Sequence, residues 1–560
     1  MPIAQTGERK GTAFIYYSQA PADKWDIFIA FQPSVAMSLS RCFLFVTAVS
    51  CLLTETAATP ILPRSDVAPI VDLGYSQYEG TTLSSKVNQY LGVRFAAPPL
   101  GNLRFRAPQD PVATTGIQEA KTLQTVCLGT GVKLPSSLQS EDCLFANVWA
   151  PSSATPASKL PAWVYIQGGG YASDSNAFGF LASEKIRANG DLNAGLLDQE
   201  FLLRWVKKYI IQFGGDPDHV VIHGASAGAG SVAMHLISYG GRNDDLFVGG
   251  IGESVFFPTQ PKVSELEWQF EQFVSDASCS GSVDELECLR SQNTTTLQAA
   301  NKARPYPGQL GNPAWYWTPT VDGDFIQDHP YKLFERGKFV KVPIMFGDDT
   351  DEGTSFAPNA GSQADVATFM KNNYPHLTDN YTDAINAQYP LMSPLPGHLA
   401  YFPSAAAAYG ETTFTCAGNF ISNSYATYVS PQKVWNYRYN VHSTYYDDAG
   451  LDVPHTIETV AVFGVGNVGE YAAADLQTGI STYNNNIVPV LMNYWISFVR
   501  ALDPNTYKFA SAPNWNSFGT GQDGGKRIRF ETNATEMELI PQDQVARCEF
   551  WKELAVVMEQ

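Results

Sequence analysis

Charge is scarce in this 560-residue chain, and positive charge is scarcer. Charged residues make up 16% of it, and 36 Lys and Arg stand against 55 Asp and Glu, a formal net charge of −19. A surface biased this way repels nucleic-acid phosphate and anionic membrane, and no basic cluster offsets it. The short metal and nucleotide signatures are missing too: there is no His-Glu-x-x-His, no Cys-x-x-Cys, and no Gly-x4-Gly-Lys-Ser/Thr. The glycines of GVGNVG, Gly464 to Gly469, are not set in the βαβ unit that a dinucleotide site needs. No cofactor, metal ion or nucleic acid is expected.

Apolar residues, at 44%, allow a substantial core. Residues 41–60 read as a single Arg, an apolar run of about 12 residues and then small residues, the layout of a secretory signal peptide. The run is too short to span a bilayer, so no stable membrane span is expected. Met37 is a natural start, and cleavage after Ala58 leaves residues 59–560 as one domain. Residues 1–36 carry no targeting logic and are read as a non-native N-terminal extension. Of eight cysteines, Cys42 and Cys51 leave with the signal, and the remaining six allow 15 disulfide pairings. Asn293, Asn380 and Asn533 open glycosylation sequons. Together these predict a secreted, extracellular protein.

The most informative stretch is Phe213 to Gly230, FGGDPDHVVIHGASAGAG. It reads as a turn, a short apolar strand, a sharp corner and a helix start. The corner, Gly224-Ala225-Ser226-Ala227-Gly228, is a G-x-S-x-G nucleophile elbow, which presents a serine hydroxyl at the carboxyl end of a parallel sheet. Cβ atoms two residues either side of the serine would collide with backbone, and the helix N-terminus favours developing negative charge. The pentapeptide alone is equally a small-residue helix start packed under a sheet. The longer spelling F-G-G-x4-V-x-I-x-G-x-S-A-G resembles the serine signature of the type-B carboxylesterase family, which includes cholinesterases and several fungal lipases. Glu141-Asp142-Cys143-Leu144 with FANVWAP resembles a second signature of that family, and YLGVRFAAPPLGNLRF its opening.

The resemblance covers residues 70–555 and implies an α/β-hydrolase fold: a mainly parallel twisted sheet covered by helices, with a small antiparallel N-terminal sheet and a helical cap. It implies disulfides Cys127 to Cys143, Cys279 to Cys288 and Cys416 to Cys548. Gly168-Gly169-Gly170, after the buried strand Pro161 to Gln167, matches the oxyanion loop, with N–H donors on Gly169, Gly170 and Ala227. A serine nucleophile needs a base oriented by an acid, in the chain order Ser, acid, His. Among Asp348, Asp349, Asp351 and Glu352, the family pattern selects Glu352. Asp351 is the substitute, and the other acids read as a solvated loop. Of eight histidines, His455 in VPHTIETVAVFG aligns with the family's base, while His219, His223 and His235 read as structural or surface groups. Ser254 matches a supporting serine behind that histidine, and Phe256 and Phe257 are candidates for the acyl-pocket wall or for plain core.

Periodicity predicts a helix over Ala194 to Phe213, helices over 262–303, and strands at Val248 to Ser254, Thr318 to Asp324 and Val342 to Gly347. The chain departs from the family at Asn176 to Phe178, where about 30 more residues with an apolar strand are expected, and a buried strand is not dropped cheaply. The implied function is hydrolysis of a small-molecule carboxylic ester by a Ser226-His455-Glu352 triad through an acyl-enzyme. The alternatives are a triacylglycerol lipase, which the short loop between Cys127 and Cys143 disfavours, and a non-catalytic adhesion or binding homologue.

Overall fold

The computed structural model describes residues 27–31, 68–134, 136–172, 176–467, 474–520 and 525–560. The strands in chain order are β1 Ile27–Phe31, β2 Ile70–Asp72, β3 Gln77–Glu79, β4 Thr81–Thr82, β5 Val87–Arg94, β6 Ile117–Glu119, β7 Phe145–Pro151, β8 Leu160–Ile166, β9 Gly215–Ala225, β10 Gly249–Glu253, β11 Ile344–Asp349, β12 Val434–Tyr439, β13 Lys526–Phe530 and β14 Glu536–Leu539. Eleven of them form one sheet in the order β14-β13-β12-β11-β10-β9-β8-β1-β7-β5-β4. From β13 to β1 every neighbour is parallel, and both edges are antiparallel. The small sheet β2-β3-β6 pairs one neighbour antiparallel and the other parallel. This is the mainly parallel α/β sheet with helices on both faces.

The central strands are apolar along their length because both faces are covered. Val220, Val221 and Ile222 on β9 and Ile344, Met345 and Phe346 on β11 are buried completely or nearly so. The helix Ala194–Tyr209 turns Leu196, Leu202, Leu203 and Val206 inward and ends on Lys207 and Lys208, which suit its negative pole. Glu141 of the second signature is structural: its carboxylate holds the buried Arg104 guanidinium at 2.7 Å, and Arg104 also donates to the carbonyls of Arg290 and Gln292. Cys127–Cys143, Cys279–Cys288 and Cys416–Cys548 are disulfides.

Two local readings are corrected. Thr318 to Asp324 is not a strand but a loop with a single isolated bridge, Lys262 to Val321. Side chains take its backbone groups instead: Asn193 Nδ2 donates to Thr320 O and Asn193 Oδ1 accepts from Thr320 N, both at 2.9 Å, while Asp322 accepts from the amides of Asp324 and Ile326. Asp348 and Asp349 are not on a solvated loop. They end β11 and are 2% and 0% exposed.

The N-terminal region contributes one described strand. β1, IFIAF, lies between β7 and β8, antiparallel to the first and parallel to the second. The signal-peptide segment 37–58 lies outside the described residues. The helix Asn176–Phe180 begins at the junction where further chain was expected, and among the described residues no strand follows before β9. Without β1, β7 and β8 would both face a gap one strand wide. Each ladder bond is worth about 1 kcal/mol net, against a whole-domain stability of roughly 5–15 kcal/mol. A chain that starts at Thr59 is therefore expected to be insoluble or to melt without cooperativity, and restoring residues 1–36 to rescue it. Circular dichroism melts of the two chains check this, and a cooperative, active Thr59 chain would leave β1 with no structural role.

Candidate active site

Four parallel strands bring the chemistry together at their carboxyl ends, where open α/β sheets place ligands. The glycine loop follows β8, Ser226 follows β9, Glu352 follows β11, and His455 lies on the segment after β12. Ser226 has φ 59° and ψ −127°, a conformation that side-chain-bearing residues rarely adopt. Its amide donates to the carbonyl of Glu253 at 2.9 Å, and its own carbonyl accepts from Gly230 at 2.9 Å. The helix Ala227–Gly241 starts directly behind it. A Cβ on Gly228 would stand 2.0 Å from the carbonyl oxygen of Ile166, so only glycine lets the helix start lie against the end of β8.

Glu352 opens a short 3-10 turn and is buried. Its Oε1 accepts the amide of Asp349 at 2.8 Å, and its Oε2 makes a short hydrogen bond with Nδ1 of His455. That bond leaves Nε2 as the free ring nitrogen, and Nε2 is buried without a hydrogen-bond partner. Asp351 does not reach His455; its Oδ2 accepts the amide of Val453 at 3.1 Å. Ser254 is fully buried with φ 55°, its amide donates to the carbonyl of Gly347, and its Oγ reaches no partner, so no hydrogen bond joins it to His455.

Gly169 and Gly170 have φ of 116° and 64°. Among the described residues, the N–H groups of Gly169, Gly170 and Ala227 make no backbone hydrogen bond, which leaves them available to an incoming oxyanion. Trp315 packs over this loop so closely that a Cβ on Gly170 would stand 1.9 Å from its ring.

Aromatic rings form the walls. Phe356 and Phe414 pack on the His455 ring with centroids 5.0 and 4.3 Å away, and Trp315 meets both Phe356 and Phe256. Phe414 sits in a π-helical turn, Glu411–Thr415, inside a longer helix, a distortion that recurs at functional sites. Phe256 thus borders the site, whereas Phe257 packs on Tyr331 and Phe334 in the core. Sequence reading missed Trp315, Phe356 and Phe414, for which it carries no local signal.

Five of the other histidines are engaged elsewhere, and His329 is buried with neither ring nitrogen hydrogen-bonded. His223 is fully buried, and its Nδ1 accepts from Trp163 Nε1 at 3.0 Å, which puts its proton on Nε2, 2.9 Å from Glu253 Oε1. His235 pairs with Gln199, His219 with the carbonyl of Val499, His442 with Asp447, and His398 stacks on Phe402. Asn293, Asn380 and Asn533 are exposed.

A model of the carboxylesterase family matches the chain in two segments, residues 67–177 and 175–551, which meet at the Asn176 junction. Lipase 1 of Geotrichum candidum is 30% identical over 405 residues, covering 60% of this chain and 72% of that protein. Secreted lipase 1 of Botryotinia fuckeliana (strain B05.10) is 29% identical over 504 residues, 78% of this chain and 84% of that one. Among solved structures, the crystal structure of Aspergillus niger EstA superposes with a TM-score of 0.85 at 50% identity, covering 88% of this chain and 99% of that chain.

The contact between Gly170 and Trp315 yields a test. Gly170→Ala, at positive φ and against the indole, is expected to displace the loop and lower kcat by about 10²- to 10³-fold, the usual cost of a lost oxyanion donor, and to lower the melting temperature as the Cβ forces the ring aside. Steady-state kinetics with a short nitrophenyl ester, beside a thermal melt, checks it. Unchanged kcat would remove the loop from the reaction.

Proposed function

The chain belongs to the carboxylesterase family and is a serine carboxylic ester hydrolase, and from that premise we propose that Ser226, His455 and Glu352 carry the reaction through an acyl-enzyme in a secreted protein. The observation that supports this most is the bond between His455 Nδ1 and Glu352, which turns an unpartnered Nε2 toward base duty. Ser226 Oγ attacks the ester carbonyl while His455 Nε2 takes its proton. The carbonyl oxygen becomes an oxyanion held by the amides of Gly169, Gly170 and Ala227. The tetrahedral intermediate collapses, His455 returns the proton to the alcohol, and the alcohol leaves. Water, deprotonated by His455, then releases the acid and regenerates Ser226.

We also propose a dispersed ester as substrate, rather than an aggregated lipid. The loop between Cys127 and Cys143 is tied down: Thr130 N donates to Ala172 O, Gly131 N to Asn301 O, and Gln298 Nε2 to the carbonyls of Gly129 and Val132. A loop held near both ends is poorly suited to swing as an interfacial lid. The lipase reading rests on the printed names of the fungal relatives. Export is supported by the disulfides, the exposed sequons and a relative named as secreted. No helix among the described residues is long and apolar enough to cross a membrane.

Hydrolysis of nitrophenyl esters from acetate to palmitate tests both proposals. Activity is expected to peak at short or medium chains and to fall by up to about 10⁶ in Ser226→Ala. A peak at long chains that rises at a lipid interface would favour the lipase, and retained activity in Ser226→Ala would overturn the triad.

A further inference from the structure

Three acids that the ester-hydrolysis steps do not use stand behind the triad, and Glu253, Asp349 and Glu458 are each 0% exposed. Each is joined to a different triad member. The carbonyl of Glu253 accepts the amide of Ser226 at 2.9 Å. The amide of Asp349 donates to Glu352 Oε1 at 2.8 Å. Glu458 follows His455 by three residues, and its carbonyl accepts the amides of Ala461 and Val462, fixing the turn that carries the histidine.

Their side chains gather beneath the sheet's carboxyl edge. The Asp349 carboxyl lies beside that of Glu458, and Glu458 in turn faces Glu253 and Glu352. Tyr437 Oη donates to Glu458 Oε1 at 3.1 Å. Trp495 Nε1 donates to Glu253 Oε1 at 2.7 Å, and His223 Nε2 lies 2.9 Å from the same oxygen without a hydrogen-bonding alignment. Glu253 Oε2 makes no hydrogen bond, and the Asp349 carboxyl has the Glu458 carboxyl and the amide of Thr456 as its polar neighbours. Ionising all three would place mutually repelling charge in a fully buried volume beside Glu352.

We propose that Glu253, Asp349 and Glu458 form a proton-holding layer that, while neutral, positions Ser226, Glu352 and His455, and that its ionisation at alkaline pH drives these anchor points apart. The proposal rests on the triad reading above. The three are positioning residues, since none touches substrate. The titratable groups facing the layer are His223 from β9, Glu352 and His455 from the loops, and Tyr437 and Tyr439 from β12. Asp348, adjacent in β11, points to the opposite face, where Arg527, Arg438 and Thr415 lie near it.

Burial pushes the carboxyls of Glu253 and Glu458 up to about 8, and burial followed by the charges of Glu458 and Glu352 lifts Asp349 well above the carboxylate range. A carboxyl raised in the folded state keeps a proton that the unfolded chain has released. The layer's contribution to stability is therefore complete below about pH 4.5 and is lost as pH rises through about 8.

The test is the pH dependence of kcat from pH 5 to 10 for wild type, Glu253→Gln, Asp349→Asn and Glu458→Gln, with melting temperature recorded at each pH. Wild type is expected to lose activity reversibly above about pH 8. Each folded amide variant, normalised to its own maximum, is expected to carry the alkaline midpoint upward by about one unit and to flatten the fall in melting temperature between about pH 4.5 and 8, with the acidic limb unmoved. Glu458→Ala should lower activity, and it shows whether lost packing alone moves the limb. Alkaline midpoints that coincide with wild type in every folded variant, or a wild type with no alkaline fall, would overturn the layer. Ser226→Ala separates the two readings. Inactivity there with unmoved midpoints removes the layer alone, whereas retained hydrolysis removes the triad on which it rests.

Discussion

The site depends on one close approach, that of the helix start at Ala227 and Gly228 to the end of β8. A carbonyl oxygen lies 2.0 Å from where a Cβ on Gly228 would stand, so the approach exists only because the residue has none. The approach sets the strained corner at Ser226, and the parallel ladder between β9 and β10 supplies the carbonyl of Glu253 that holds the corner's amide. The same register runs on to β11 and β12, so Glu352 and His455 arrive at the same edge of the sheet. Strain at Ser226 is thus carried by a buried ladder and by no single contact.

What could be read in advance was whatever steric necessity writes into a short stretch of chain. Gly224 and Gly228 around Ser226 are obligatory, so the elbow is visible as text. The order of Glu352 and His455 after it follows from the order of strands in an α/β sheet. The aromatic wall was not legible, because Trp315, Phe356 and Phe414 come from three distant segments and meet only across the folded sheet. The solvated-loop reading also failed for Asp348 and Asp349. A run of acids looks solvated, yet these two continue β11 into the interior, and only the pairing with β12 at Arg438 and Tyr439 discloses it. Thr318 to Asp324 misled in the other direction, since Asn193 and Asp322 satisfy that backbone without any ladder.

The central sheet poses a sharper question than the site. The family match breaks into two segments that meet at residues 175–177, and β1 enters the sheet from far upstream, between β7 and β8. An internal parallel strand has neighbours on both sides, so its place must be filled for either neighbour to keep its hydrogen bonds. β1 precedes the signal-like segment, and cleavage after Ala58 would cut the chain between β1 and the rest of the sheet. Strand complementation by β1 and processing at that point are therefore opposed demands on a single chain. The demand for a strand is set by the sheet itself and does not depend on which segment meets it.

The pinned loop and the aromatic wall bear on specificity together. A lid that opens at a lipid surface must break its closed contacts and expose apolar area, and it functions only when those contacts are few. Here the loop from Leu128 to Asp142 is anchored by backbone bonds to Ala172 and Asn301, by the side chain of Gln298, and by the buried Arg104 pair at Glu141. What stays in place under that reading is the ring cluster of Phe256, Trp315, Phe356 and Phe414 beside His455. Their rings interlock, with Phe356 stacked on Phe414 at 5.4 Å and Phe256 on Phe414 at 5.6 Å. A wall of interlocked rings resists displacement, so the acyl chain must fit the space the rings define. Chain-length preference under the proposed reading is in that sense a packing property of residues far apart in sequence.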